Sequence, residues 1–251
     1  MNIIKVTDYQ EMSKTAAALV AEEMMNKKIS VLGLATGGTP FGTYQQLIEL
    51  VKAGEISFAT THTVNLDEYV GLANDHPDSY HQYMYENFFK HIDIPVEQTH
   101  LPNGDADNLQ QECLRYESIL EELGGVDLQL LGIGENGHIG FNEPGTSFDS
   151  KTHIVDLEDS TRKANARFFD KGEPVPAQAV TMGIQTIMNS KKIVLLASGI
   201  KKAEAIARLL QGEVSEACPA TVLKRHPHLT LIADEAALSL AMAGKADKGN
   251  I

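Results

Sequence analysis

The sequence has very little cysteine, no tryptophan and no long apolar run. Cys113 and Cys218 lie far apart, without the paired spacing of a zinc site or a disulfide framework, so a cytoplasmic location is expected. No stretch approaches the roughly 20 apolar residues that span a bilayer. The amino terminus also lacks the charged and apolar segments of a signal peptide. These absences predict a protein without a membrane segment.

Basic residues are also scarce. The chain has 21 Lys and Arg against 34 Asp and Glu, a formal net charge of -13. A nucleic-acid or anionic-membrane partner requires a basic face, so neither is expected. A small anionic substrate is still compatible with this charge, because backbone amides and one or two basic side chains are enough to hold a phosphate.

Short apolar runs alternate with amphipathic stretches in this globular composition of 251 residues. This alternation predicts βαβ units and an α/β fold with a mainly parallel sheet. No linker or repeat divides the chain, so we expect one domain over residues 1–251. The predicted strands are residues 29–34, 63–66, 126–131, 192–197 and 229–232, and helices are predicted at 12–25, at 44–53 and from the 198–202 turn to residue 210.

Residues 147–179 differ from the rest. This segment is polar, contains Gly172, Pro174 and Pro176, and lacks a strong apolar period. One interpretation is a lid over the functional site. The other is a surface excursion with a short helix, and the sequence leaves both open.

The most informative motif is residues 131–144 (LGIGENGHIGFNEP), which follows a predicted buried strand. It places Asn136, His138 and Glu143 within eight residues, among four glycines. Glycines allow a ligand to approach the main chain closely, and open α/β sheets bind ligands where their strands end. We therefore interpret the motif as functional. The alternative is a tight connection with a solvent-facing histidine.

Three other segments carry features that suit an anion. Residues 35–40 (ATGGTP) combine exposed backbone amides with a helix start, although they match neither a Walker A loop nor a dinucleotide fingerprint. Lys201 and Lys202 open a helix, where a cation opposes the helix dipole unless an anion shares that end. Arg162 and Arg167 lie in the possible lid. The alternative interpretation is that these cations are ordinary solvated surface residues.

Adjacent carboxylates follow the second predicted strand. Asp67 is the better candidate for a base, since it is nearer the strand, and Glu68 is then a supporting residue. A helix cap is an alternative for either side chain.

Four segments together resemble the motifs of the glucosamine-6-phosphate deaminase family, in the family's order and over nearly the whole chain. They are residues 35–40 (ATGGTP), 65–72 (NLDEYVGL), 137–144 (GHIGFNEP) and 160–169 (STRKANARFF). The resemblance implies a Rossmann-like three-layer α/β sandwich. It also implies conversion of glucosamine 6-phosphate and water to fructose 6-phosphate and ammonia, without a metal or other cofactor.

The resemblance also implies residue roles. His138, held by Glu143, helps to open the sugar ring, and Asp67 moves a proton from C2 to C1 through an enolamine. Asn136 stands where many members have aspartate, which shifts the electrostatic role toward Glu143 while the amide still orients the imidazole by hydrogen bonding. The substrate phosphate is expected to bind Thr36, Gly37, Gly38, Thr39, Arg167 and Lys202.

Two alternative functions come from related proteins. A 6-phosphogluconolactonase shares the fold but needs no C2 base, and a sugar-phosphate-binding regulator would carry a basic DNA-binding segment. Members activated by N-acetylglucosamine 6-phosphate carry cations where His153 and Val155 stand here, and neither side chain has a fixed positive charge. With a short tail after Leu240, this predicts a non-allosteric enzyme. Separately, we expect a monomer or a small homo-oligomer.

Overall fold

The computed structural model describes residues 1–26, 30–169 and 173–246, and these contain two β-sheets. The first has seven parallel strands and the second has three antiparallel strands. In chain order the strands are β1 (Asn2–Val6), β2 (Val31–Leu34), β3 (His62–Asn65), β4 (Asp67–Tyr69), β5 (Thr99–His100), β6 (Leu128–Gly132), β7 (His153–Asp156), β8 (Gln178–Thr181), β9 (Lys192–Ala197) and β10 (Leu229–Asp234).

Successive side chains of a strand point to opposite faces, so both faces of the parallel sheet carry apolar side chains. Helices cover both faces. In β9, Ile193 and Leu195 pack into one apolar cluster, whereas Val194 and Leu196 pack into the other. The predicted three-layer α/β fold is therefore confirmed. The helices in the described residues are α1 (Tyr9–Met25), α2 (Gly38–Lys52), α3 (Tyr80–Asn87), α4 (Leu109–Glu122), α5 (Asp159–Asn165), α6 (Ile184–Met188), α7 (Ala203–Gln211) and α8 (Glu235–Ala246).

The strand order of the parallel sheet creates a crevice at its centre. The order is β1-β10-β9-β6-β2-β3-β5. From β2 the chain continues to β3 on one side, and from β6 it continues to β9 on the other. Ligands of open α/β sheets bind at such a reversal, outside the carboxyl ends of the strands. The loops after β2 and β6 both meet there.

The second sheet has the order β4-β8-β7 and was not predicted. Residues 147–179 supply all of β7 and the start of β8, so neither a lid nor a surface excursion describes this segment fully. Its buried Leu157, Val175 and Ala179 pack against Tyr69 and Phe141, which explains how a largely polar segment is held. Gly172 lies outside the described residues.

All five predicted strands are present, with small shifts at their ends. Ile29 lies outside the described residues, and the strand predicted at 126–131 runs from Leu128 to Gly132. Helix α2 begins six residues earlier than predicted, because its first turn is the Gly-rich segment itself. The strands β1, β4, β5, β7 and β8 were missed. No helix in the described part of the chain is long and apolar enough to cross a bilayer.

Candidate active site

The strand-end loops enclose one cavity of about 1020 Å³ at the crevice between β2 and β6. Every predicted site residue except Glu143 lines it, and Glu143 is buried beside His138. Loops from distant parts of the chain are brought together here because their strands end at the same edge of the sheet. The predicted residues in the cavity wall are Thr36, Gly37, Gly38, Thr39, Asp67, Asn136, His138, Arg167 and Lys202.

The Gly-rich turn forms one end of the cavity. Gly37 has φ 87°, a left-handed conformation that favours glycine, and it precedes the first turn of α2. Two tyrosines brace the turn, since the Tyr83 hydroxyl donates to Gly37 O at 2.7 Å and the Tyr9 hydroxyl donates to Gly38 O at 2.8 Å. The amides at the start of α2 thus face a partly enclosed space, which suits an anion.

Two cations, Lys202 and Arg167, also line the cavity here. Lys202 lies in the turn after β9, where burial holds the pKa of its ammonium below the usual value. The charge of Glu135 opposes this shift, and the charges of Arg167 and Lys201 add to it. Among the described residues it forms no ion pair, whereas Lys201 is 74% exposed and lies 3.8 Å from Glu135. Of the two adjacent lysines, Lys202 is therefore the one placed for an anion in the cavity.

Asp67 is the first residue of β4 and is buried in the cavity wall. Burial, and then the charge of Glu68, raise the pKa of its carboxyl to about 8. Gly140 lies beside it with φ 55°, a backbone conformation that favours glycine, and a Cβ at that position would lie only 3.0 Å from Thr181 Oγ1. A carboxyl with a raised pKa in a cavity has the properties of a general base.

Glu68 has a different environment. Its carboxylate accepts hydrogen bonds from the backbone amides of Tyr69, Tyr80 and His81, at 2.8, 3.0 and 3.0 Å, and from the His81 ring at 2.9 Å. It thereby binds the first turn of α3. This supports the interpretation of Glu68 as a helix cap and leaves Asp67 as the carboxylate that lines the cavity.

His138 and Glu143 form an imidazole–carboxylate pair, with 3.5 Å between His138 Nδ1 and Glu143 Oε2. This separation is typical of an ion pair and longer than an ordinary hydrogen bond. Burial by itself raises the pKa of Glu143, but its interaction with His138 and a hydrogen bond from Asn136 outweigh burial and lower the pKa overall. Glu143 is thus kept as an anion beside the ring. Gly134 is required here, since a Cβ on it would lie 2.3 Å from His138 Cε1.

The expected contact of Asn136 with the imidazole is wrong. Asn136 Oδ1 accepts from the backbone amide of His138 at 3.1 Å, and its Nδ2 donates to Glu143 Oε2 at 2.9 Å. A short side chain two residues before His138 reaches that backbone amide more readily than the ring. Asn136 therefore influences the ring through Glu143.

Several cavity residues were missed by the sequence analysis. Tyr80 is partly buried, donates to the Tyr69 hydroxyl at 3.2 Å and has a phenol pKa well above its ordinary value because of burial. Arg208 also lines the cavity, and its spacing of seven residues from Lys201 along the helical segment was a usable signal. No comparable signal marked Tyr80, which is brought to the cavity by the cap of α3.

One group of possible metal ligands occurs in the described residues: His76, Asp78 and Glu173, whose ligand atoms lie within 4.8 Å of one another. His76 Nδ1 accepts from the Asp78 amide at 3.2 Å, and Nε2 lies 3.5 Å from Glu173. A neutral imidazole that accepts at Nδ1 carries its proton on Nε2, which points that proton toward Glu173. This geometry describes an imidazole–carboxylate pair, and the absence of a metal site stays a prediction.

The fold and the site define an α/β enzyme with its cavity at the carboxyl edge of a parallel sheet. The family model of glucosamine-6-phosphate isomerases and 6-phosphogluconolactonases matches residues 7–232. The chain belongs to this family.

Similar proteins agree with the resemblance seen in the motifs. The chain is 58% identical to a glucosamine-6-phosphate deaminase of Shouchella clausii, over 96% of this chain and 97% of that one. It is 53% identical to glucosamine-6-phosphate deaminase 1 of Bacillus subtilis, over 96% and 99%. The solved structure of a monomeric glucosamine-6-phosphate deaminase superposes with a TM-score of 0.93 at 53% identity, over 96% of this chain and 100% of that one.

The lactonase branch is more distant. The 6-phosphogluconolactonase of Trypanosoma cruzi has a TM-score of 0.74 at 18% identity, over 95% of this chain and 96% of that one. This likeness concerns the fold alone. The resemblance to deaminases is therefore confirmed at the level of the family and its high-identity members.

Proposed function

We propose that this chain converts glucosamine 6-phosphate and water to fructose 6-phosphate and ammonia. The observation that carries the proposal is the juxtaposition in one cavity of a buried carboxyl, an imidazole–carboxylate pair and a cationic end. The same reaction is named for relatives that are more than half identical to this chain over nearly its whole length.

In the proposed mechanism, His138 transfers a proton to the ring oxygen O5 as the C1–O5 bond breaks, and the imidazole takes up the proton that the C1 hydroxyl loses as the open-chain aldehyde forms. Glu143 stabilises the charged imidazole. Asp67 then removes the proton from C2 while the imidazolium of His138 protonates the C1 oxygen, which gives an enolamine, and Asp67 returns its proton to C1. The resulting iminium at C2 adds water and releases ammonia, leaving the ketone of fructose 6-phosphate.

At the other end of the cavity, the proposed phosphate site combines the backbone amides of residues 36–39 with Lys202 and Arg167. An anion there offsets the unfavourable placement of Lys202 near two other cations. The α5 helix and the turn after it form the wall that carries Arg167, so we infer that this part of residues 147–179 acts as a lid on this end. We also propose that the enzyme is one domain, works as a monomer, like the relative of known structure, and resides in the cytoplasm.

The direct test is incubation with glucosamine 6-phosphate while ammonia and fructose 6-phosphate are both measured. We expect the two products in equal amounts. A parallel incubation with 6-phosphogluconolactone examines the alternative function, for which Asp67 would have no role as a C2 base. Absence of both ammonia and fructose 6-phosphate would overturn the proposal, and lactone hydrolysis alone would favour the alternative.

The pH dependence of the reaction follows from the environment of Asp67. Only the ionised carboxylate accepts the C2 proton, and burial together with the charge of Glu68 raises its pKa to about 8. We therefore expect kcat/KM to decrease as the pH falls below about 8, approaching tenfold per pH unit. The measurement is a pH profile of kcat/KM on glucosamine 6-phosphate. A profile that stays flat down to about pH 6 would contradict this assignment.

Regulation by N-acetylglucosamine 6-phosphate is not expected. His153 lies in β7 with Nδ1 2.8 Å from Lys151 O, and Val155 packs beside the apolar cluster of the second sheet. An allosteric effector needs different contacts in two states, and these two positions offer no fixed cation for a phosphate. The end of the tail, residues 247–251, lies outside the described residues. We predict hyperbolic rate curves that this sugar phosphate leaves hyperbolic. Sigmoidal curves that it converts to hyperbolic ones would contradict the prediction.

A further inference from the structure

We propose that Glu158 is a positioning residue for the imidazole–carboxylate pair of His138 and Glu143, and that it acts through Asn136. The inference rests on the proposed function, because it assigns Glu158 a part in the ring-opening step. Glu158 lies just before α5, is exposed and belongs to no motif that pointed to chemistry.

The contacts of Asn136 carry the inference. Its Nδ2 donates one hydrogen to Glu143 Oε2 at 2.9 Å and the other to Glu158 Oε2 at 3.0 Å. Its Oδ1 accepts from the His138 backbone amide at 3.1 Å, which leaves Nδ2 to face the two carboxylates. Both amide hydrogens are thus used, and one side chain bridges two carboxylates that would otherwise repel each other.

Glu158 is connected to the same network by its backbone. Its amide donates to Glu143 Oε1 at 3.3 Å, and the Ser160 hydroxyl donates to Glu158 Oε2 at 3.2 Å. Its side chain makes no capping hydrogen bond to α5 and, among the described residues, no ion pair. The contact with Asn136 therefore accounts for the orientation of this exposed carboxylate better than helix capping does.

This arrangement also explains why position 136 is asparagine in this chain. An aspartate there could donate no hydrogen bond and would stand between Glu143 and Glu158 as a third negative charge. Like charges in contact destabilise each other, and the effect is strongest where water is partly excluded. The presence of Glu158 therefore makes an amide at position 136 favourable, although the position lies 22 residues away along the chain.

The network joins the two ends of the proposed site. Helix α5 begins directly after Glu158 and leads into the turn that carries Arg167. The start of this helix is bonded to Glu143 through the Glu158 amide, at 3.3 Å. Positioning of the ring-opening pair is in this way linked to the segment that contacts the phosphate.

A double-mutant cycle tests the inference. Glu158→Gln, Asn136→Asp and the double variant are compared with wild type, with kcat and KM on glucosamine 6-phosphate measured for each. We expect E158Q alone to lower kcat by about twofold to fivefold, and N136D alone to lower it by about tenfold or more. In the N136D background, E158Q should instead raise kcat by about threefold or more, because the glutamine amide donates to the new aspartate.

The opposite effects of E158Q on kcat in the two backgrounds distinguish a positioning role of Glu158 from a general structural role. KM should stay within about twofold in all four proteins, since the phosphate contacts are unchanged. Asp159→Asn is the matched control, because this neighbouring carboxylate is 85% exposed and has Arg162 rather than Asn136 as its partner, at 3.9 Å. It should leave kcat unchanged relative to the parent protein, both in the wild type and in the N136D background.

If the Asn136 variants do not fold, Glu158→Ala and E158Q decide the question by themselves. Alanine removes the acceptor and should lower kcat more than glutamine, which keeps it. Equal kcat values for wild type, E158A and E158Q would overturn the inference, as would additive effects in the cycle. A wild-type protein that releases no ammonia would overturn the proposed function and this inference with it, whereas an active wild type with additive variants would overturn the inference alone.

Discussion

Replacing Asp67 by asparagine is expected to lower kcat on glucosamine 6-phosphate by roughly 10²–10⁴-fold, the usual contribution of a positioned acid–base group. Asparagine has nearly the same size and fills the same buried position at the start of β4, but it cannot accept and return a proton. KM should change little, because the proposed phosphate site lies at the other end of the cavity. Steady-state rates of ammonia release, measured at saturating substrate, check the expectation.

The stability of this variant distinguishes lost chemistry from lost folding. With its pKa raised from 3.8 to about 8, Asp67 in the folded protein retains a proton that the unfolded chain releases. Stability therefore decreases as the pH rises through this range. An asparagine cannot ionise, so Asp67→Asn should be at least as stable as wild type at pH values near the upper end. Asp75→Asn, at an exposed aspartate in the loop before α3, is the control and should leave both rate and stability unchanged.

Near-normal turnover of Asp67→Asn would assign the proton transfer to another group. Glu68, the adjacent carboxylate, is a poor replacement because its oxygens already accept hydrogen bonds from the start of α3. A pH profile of the variant that kept its limb near pH 8 would contradict the assignment as well.

Replacing Lys202 by alanine is expected to weaken use of glucosamine 6-phosphate by about 1.5–3 kcal/mol, the size of one hydrogen bond to a charged group. This corresponds to an increase in KM of roughly tenfold to a hundredfold. The physical reason is that Lys202 lies in the wall of the cavity among other cations and forms no ion pair with the described residues. The measurement is kcat/KM on glucosamine 6-phosphate and on unphosphorylated glucosamine.

Lys201 provides the matched control, since it has the same charge one position earlier but is 74% exposed and faces Glu135. Lys201→Ala should change KM by less than about twofold, as expected for an exposed ion pair. The already poor use of unphosphorylated glucosamine should be almost the same in all three proteins. Equal losses on both substrates in Lys202→Ala would show a folding defect rather than a lost phosphate contact.

The parts of the candidate site that are formed by short, continuous segments could be predicted from the sequence. The Gly-rich turn at residues 36–39 and the segment from Asn136 to Glu143 are short and contain their own turn chemistry, so their composition indicates their conformation. The predicted contact between Asn136 and the imidazole was wrong. Whether the Asn136 side chain bonds to a ring nitrogen or to the backbone amide depends on side-chain rotamers and on Glu158. Tyr80 was missed because its place in the wall depends on the cap that Glu68 provides.

The fold likewise has strands that could be predicted from the sequence and strands that could not. The five predicted strands all lie inside the parallel sheet rather than at its edges, and apart from β3 (HTVN) they contain apolar runs, which sequence analysis detects. The missed strands are short, lie at an edge or belong to the second sheet, where pairing partners distant in the chain provide most of the stabilisation. For β7 and β8, the apolar contacts with Tyr69 and Phe141 could not be foreseen from a polar segment.

By itself, the sequence determined the alternation of strands and helices, the Gly-dependent turns and the chemical types of the site residues, because these depend on neighbours a few positions apart. The tertiary structure decided the strand order, which brings Asp67, His138, Arg167 and Lys202 to one cavity. It also decided which of two adjacent carboxylates lines that cavity, that Lys202 is less exposed in its wall than Lys201, and that the Asn136 amide bridges Glu143 to Glu158. These outcomes depend on burial, hydrogen-bond geometry and charge between segments that meet only when the sheet is assembled.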